Sequence, residues 1–191
     1  MSNTKQQTQK FVLGAILTAL VIVLQLLGTF IRFGPFAISL VLVPIVIGVA
    51  LCDYKIGAWL GFIFGVVVLI SGDAAAFLGI DAFGTIVTVL LKGTLCGLAA
   101  GLIYKLLEKY NRYLAIIAAA IVCPLVNTGI FFLGCITFFM SAIAEWGVAG
   151  GFSNTIQYMF LGLAGGNFLA ELTINLLLAP TILRIVDAVK K

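Results

Sequence analysis

The chain reads as an all-α integral membrane protein: six membrane-spanning helices in a single domain over residues 1–191. Composition is the first reason. Of 191 residues, 63% are hydrophobic and 9% charged, with a mean hydropathy of +1.25, more apolar surface than a water-facing globule can hide. The second reason is that apolar runs of membrane-crossing length follow one another with only short polar breaks, whereas a β-barrel would alternate over short segments. The third is charge. Lys5, Lys10, Lys55, Lys105, Lys109, Arg112, Arg184, Lys190 and Lys191 fall in the polar stretch before the first span, in alternate breaks and after the last span, which puts nine of the eleven basic residues on one side. That asymmetry predicts both ends in the cytoplasm.

The first span covers 11–30, since ~20 apolar residues at ~1.5 Å each cross a ~30 Å hydrocarbon core. Its apolar run is too long for the core of a cleavable signal peptide. The polar stretch 1–10 before it is expected to fray. Gly34 and Pro35 punctuate a turn at 31–35. A second span follows at 36–52, where Pro44 is expected to kink the helix by removing a backbone donor. The third span, 56–71, carries Gly57, Gly61 and Gly65, and the fourth, 84–107, carries Gly93, Gly97 and Gly101. Both stripes repeat every four residues, a spacing that lets helices approach closely, against each other or against the first span. The fifth span, 113–140, holds Pro124. The segment 141–157 is expected to form either a flexible lid or a short surface helix, with Trp146 placed to cap a pocket. The sixth span, 158–188, is loosened at its start by Gly162, Gly165 and Gly166 and holds Pro180.

Several function classes drop out. The net charge of +4 comes from residues at helix ends, as topology alone requires, so it does not point to nucleic acid. The chain has no histidine, and Cys52, Cys96, Cys123 and Cys135 fit no metal spacing, so no metal or cofactor is expected and the cysteines read as small packing residues. There is no G-x-x-x-x-G-K-[ST] loop, G-x-S-x-G elbow or H-E-x-x-H pair, which argues against an ATPase or an enzyme.

Polar groups within apolar spans are costly, so each needs a reason. Lys92 lies eight residues into the fourth span, ~12 Å below its outer end. Glu171 is flanked by Asn167 and Asn175 at four-residue spacing, so the three share one helix face. Asn127, with Thr128, follows Pro124, where a kink can free backbone groups. One account is an internal Lys92–Glu171 ion pair with asparagines joining helices. The other is a polar pocket opening outward, in which Lys92 meets an anionic ligand group. Arg32 and Asp73 lie on the same outer side and complete the candidate set. On the first helix, Ala15 and Ala19 form a small-residue stripe, suited to packing within the chain or against a separate membrane subunit.

With Ala15-Ile-Leu-Thr-Ala19, the run from Phe33-Gly-Pro-Phe to Pro44-Ile-Val-Ile-Gly48, the glycine-rich third span and Lys92-Gly93, the chain resembles the substrate-binding S components of energy-coupling factor (ECF) vitamin transporters. The similarity is to the riboflavin, pantothenate and folate group. It implies that Ala15 and Ala19 face a transmembrane coupling subunit, that two cytoplasmic ATPase subunits supply the energy, and that the outer halves of the last three spans and the outer loops capture the vitamin. Lys92 with the asparagines suits pantothenate, which has one carboxylate and several hydroxyl and amide groups. Riboflavin would use the aromatic side chains of the fifth span, Phe131, Phe132, Phe138 and Phe139. A different reading is a stand-alone carrier in the bacterial plasma membrane with a Lys92/Glu171 relay.

Overall fold

The computed structural model describes residues 3–28, 32–33, 36–37 and 40–189, with side chains from residue 7 to 28 and from 40 to 189. Helix α1 is Asn3–Gly28, followed by a two-residue antiparallel pair of β1 (Arg32–Phe33) and β2 (Phe36–Ala37). Then come α2 Leu42–Leu51, α3 Tyr54–Ser71, α4 Ala75–Leu78, α5 Ala82–Leu107, α6 Arg112–Phe138 and α7 Met140–Ala149. A single turn, α8 Thr155–Gln157, runs into a π-helical stretch, Tyr158–Leu163, and α9 is Gly165–Val189.

Among the described residues five helical stretches are long and apolar enough to cross a membrane: Gln7–Gly28, α3, α5, α6 and Thr155–Val189. The helix expected over 36–52 is corrected: Phe36–Ala37 forms a strand, and the helix described there is Leu42–Leu51, which at ~1.5 Å per residue is ~15 Å, half of a hydrocarbon core. Eight of the ten residues of α2 are buried, because α2 packs among α1, α3, α5, α6 and α9. The kink expected at Pro44 is absent for a related reason. Pro44 stands in the first turn of α2, where its missing N–H has no intrahelical partner to lose. The stretch expected to fray is helical from Asn3, since it contains no Gly or Pro to stop the helix. Within the predicted turn at 31–35, Ile31, Gly34 and Pro35 lie outside the described residues.

Three of the long helices, α3, α5 and α6, start on a side-chain cap. Asp53 accepts from the N–H groups of Lys55 and Ile56 at 2.9 and 3.0 Å. Asp81 accepts from Gly84 at 3.0 Å and Asn111 from Leu114 at 3.1 Å. These bonds satisfy backbone donors that the first turn leaves open.

The two glycine stripes meet each other. A methyl group at Gly57 would stand 2.7 Å from the Gly97 carbonyl oxygen, and one at Gly65 would stand 2.9 Å from that of Val89. A methyl at Gly61 would collide with the Gly93 carbonyl. Backbone thus touches backbone along the α3–α5 seam, which fixes how these two helices stand side by side. The core beneath is formed by Val21, Leu42, Ile45, Leu60, Phe64 and Ile116, all fully buried. Large apolar side chains such as Ile70, Leu125, Leu133 and Leu177 point outward, as expected where lipid rather than water is the solvent.

The segment 141–157 resolves to a helix over most of its length. In α7, Ile143 and Gly147 are buried, and Trp146 stacks edge-on against Phe77 with ring centroids 5.4 Å apart.

Candidate functional site

A partly open cavity of about 80 Å³ lies between the end of α3, the first half of α5, the second half of α6 and the start of α9. Several sequence features bring its walls together. Helix α3 stops at Gly72, whose φ of +87° is readily adopted only by glycine. The chain there reverses, and Asp73, Ala74 and Phe77 line the cavity. Thr85, Thr88 and Lys92, spaced by three and four along α5, contribute one face. Asn127, Thr128 and Phe131 come from α6, Ala164, Asn167 and Glu171 from the start of α9, and Gln25 from α1. The π-helical stretch ends just before Ala164. Such irregular turns within helices recur at functional sites, because they re-aim the next side chains.

Lys92 is half-buried. Its Nζ lies 5.5 Å from the ring centroids of both Phe64 and Phe131, near enough for the ring faces to attract the cation. Glu171 is only 5% exposed and shares the cavity lining with Lys92. Arg112 pairs with Asp187 at 2.8 Å, at the end of the bundle away from the cavity. Asp73 is held in place: Gln25 donates to its Oδ2 at 2.8 Å and Ser71 at 3.2 Å.

The cavity also presents polar atoms that the protein leaves unsatisfied. Thr88 Oγ1, Asn127 Oδ1 and Asn167 Oδ1 are buried without a hydrogen-bond partner. Each such atom costs on the order of 1–3 kcal/mol when nothing pairs with it. Three of them facing one space suit a site whose ligand or waters supply the missing bonds. Its apolar wall is Phe77, Phe131 and Phe139, with Phe77 edge-on to both other rings at 5.7 and 4.9 Å.

Of the residues singled out from sequence, Lys92, Glu171, Asn127, Asn167 and Asp73 come together here. Asn175 shares the helix face but lies one turn deeper, 1% exposed, with both amide atoms unpartnered and outside the cavity lining. The Arg32 side chain lies outside the described residues. Trp146 touches the cavity through Phe77 rather than lining it. Ala15 and Ala19 do not line the cavity and are exposed on α1, while Gly14 and Thr18 beside them turn toward α3. Thr18 Oγ1 accepts from the Trp59 indole N–H at 3.2 Å. Phe131 and Phe139, from the aromatic set of the fifth span, also line the cavity, whereas Gln25, Thr85, Thr88 and Phe77 were not anticipated. For Gln25 a signal existed, a lone amide in an otherwise apolar stretch of span. For the two threonines it was their shared face with Lys92. Phe77 had no signal among the fifteen phenylalanines of the chain.

Among the described residues no group of His, Cys, Asp or Glu could hold a metal ion. A family model described as the substrate-specific component of ECF transporters matches residues 9–183. No curated protein and no solved structure matches the chain.

Proposed function

Since the chain belongs to the substrate-specific components of ECF transporters, a family of multi-pass membrane proteins that bind substrate and are not enzymes, we propose that its outer cavity captures a water-soluble vitamin for import. The observation that carries this reading is the set of buried, unpartnered oxygens of Thr88, Asn127 and Asn167 facing the same space as Lys92 and Glu171. In this reading the sixth span is completed by the short α2 and its neighbouring segment, both ends lie in the cytoplasm of a bacterial cell, and Arg32 and Asn175 support the site from its rim and floor. A transmembrane coupling subunit docks on the face bearing Ala15 and Ala19, and two ATPase subunits drive it. No nucleic acid is involved, and the stand-alone relay gives way to transport with partner subunits.

Pantothenate is the first ligand to test. Its carboxylate would meet Lys92, and its hydroxyl and amide groups would pair with Asn127, Asn167 and Thr88. A second reading rests on the other wall. Phe77, Phe131 and Phe139 with two carboxylates, Asp73 and Glu171, would favour a flat, hydrogen-bond-donating ring such as that of riboflavin; folate is the bulkier alternative.

Calorimetric titration of the purified protein with each vitamin tests the assignment. Tight one-to-one binding of pantothenate that weakens by at least about tenfold in Lys92→Ala, as for loss of a charge-assisted bond, supports the first reading. Binding of riboflavin with Lys92→Ala nearly silent supports the second. Absence of heat with every vitamin would refute both.

A further inference from the structure

Helix α1 stands at the edge of the bundle, packed on α2 and α3, with Phe11, Ala15, Ile16, Ala19 and Val23 exposed. One polar group ties it to the cavity. Gln25 is 3% exposed, lines the cavity, and donates to Asp73 Oδ2 at 2.8 Å. The same oxygen takes the Ser71 hydroxyl from the end of α3. A carboxylate shared by two helices and open to the ligand space joins them through one atom. A charge-assisted bond of this kind within a membrane is among the stronger polar ties available.

We infer that Gln25, acting through Asp73, links occupancy of the cavity to the packing of α1 on α3. A ligand group that hydrogen-bonds Asp73, or displaces water from it, changes the bond that anchors the outer end of α1. Ala19 and Ala15 lie six and ten residues along the same rigid helix, ~9 and ~15 Å away, so the face they form moves with that anchor. Gln25 is on this account a positioning residue. The inference rests on the cavity being the ligand site, and deepens that reading by naming how the ligand would be sensed.

The test is amide hydrogen exchange on the purified full chain, free and with saturating pantothenate, riboflavin or folate, calorimetry run in parallel. In the free protein, Gln25→Leu and Asp73→Asn should each speed exchange in the outer half of α1 by about tenfold, as expected for a lost charge-assisted bond, and the double variant should add little to either. With a bound vitamin, the native chain should gain protection in α1 as well as in α5, α6 and α9; Gln25→Leu, held at a vitamin concentration that its own calorimetric titration shows to be saturating, should lose the gain in α1. A bond that merely holds two helices together would give the same loosening in the free protein, but no ligand-dependent protection of α1 in the native chain. Heat of binding with α1 exchange unchanged by ligand therefore overturns the link alone. No heat with any vitamin overturns the ligand reading and the link with it. Exchange in α1 that ignores both single substitutions overturns the tie itself.

Discussion

The same substitution, glycine to alanine, should act with opposite sign at two places in this protein, and the difference can be worked from geometry. At Gly57 an added methyl would sit 2.7 Å from the Gly97 carbonyl oxygen and 2.5 Å from a methyl of Val49. A relaxed carbon–oxygen contact is about 3.3 Å or more, so α3 and α5 must part by about 0.6 Å at this level. The obstruction on the α5 side is backbone, which cannot rotate away as a side chain would. Overpacking of this kind costs about 1–3 kcal/mol, against which the higher helix propensity of alanine returns less than about 1 kcal/mol. At Gly129 in α6 nothing lies within 4 Å of the added methyl, so only the propensity gain remains, up to about 1 kcal/mol of stabilisation. Thermal unfolding in one detergent at one scan rate, followed by loss of the folded size-exclusion peak, reads both. Taking roughly 2–4 °C per kcal/mol for a chain of this size, Gly57→Ala should lower the apparent midpoint by several degrees while Gly129→Ala holds or raises it. Equal midpoints for the two variants would mean that the α3–α5 seam is not in backbone contact, and the account of how the cavity walls are aligned would fall with it.

Bulk at the outward face of α1 should separate binding from transport: Ala15→Trp with Ala19→Trp is expected to leave vitamin affinity within about twofold, since neither residue lines the cavity, and to abolish uptake in cells carrying the coupling module. Normal uptake would show that this face is not the docking surface. Asp81→Ala removes the cap at the start of α5 and should destabilise the protein by about 1 kcal/mol, measurable in the same unfolding assay; no shift would mean that water replaces the cap without loss.

Most of the helical content was legible because hydrophobic runs and their punctuation are local properties. The boundaries of the third and fourth spans fall within two residues of α3 and α5, where Asp53, Gly72 and Asp81 mark the ends by capping and turning chemistry that needs no tertiary partner. The extent of the second helix was misjudged because apolarity has two causes. A run such as Leu42–Leu51 is apolar when it faces lipid and equally so when it is enclosed by other helices, and hydropathy does not distinguish them. Proline was misread for a similar reason: whether Pro44 kinks a helix depends on where the helix begins, and that is set by the segment before it. The segment 141–157 left two local solutions open, and packing of Ile143 and Gly147 against the bundle selects the helix.

The sequence by itself determined that this is a helical membrane protein, that Lys92, Glu171, Asn127 and Asn167 sit at membrane depth and need a reason, and that two glycine stripes invite close packing. Charge, hydropathy and small-residue spacing act through solvent and local geometry, so they can be read one segment at a time. Only the tertiary structure decided that the stripes meet each other rather than α1, that Asn175 falls below the cavity while Gln25 and Thr88 line it, and that Ala15 and Ala19 are left exposed. Those outcomes depend on the rotation and depth of each helix against its neighbours. Side-chain volume and backbone contact across the whole bundle set these at once, and no single segment encodes them.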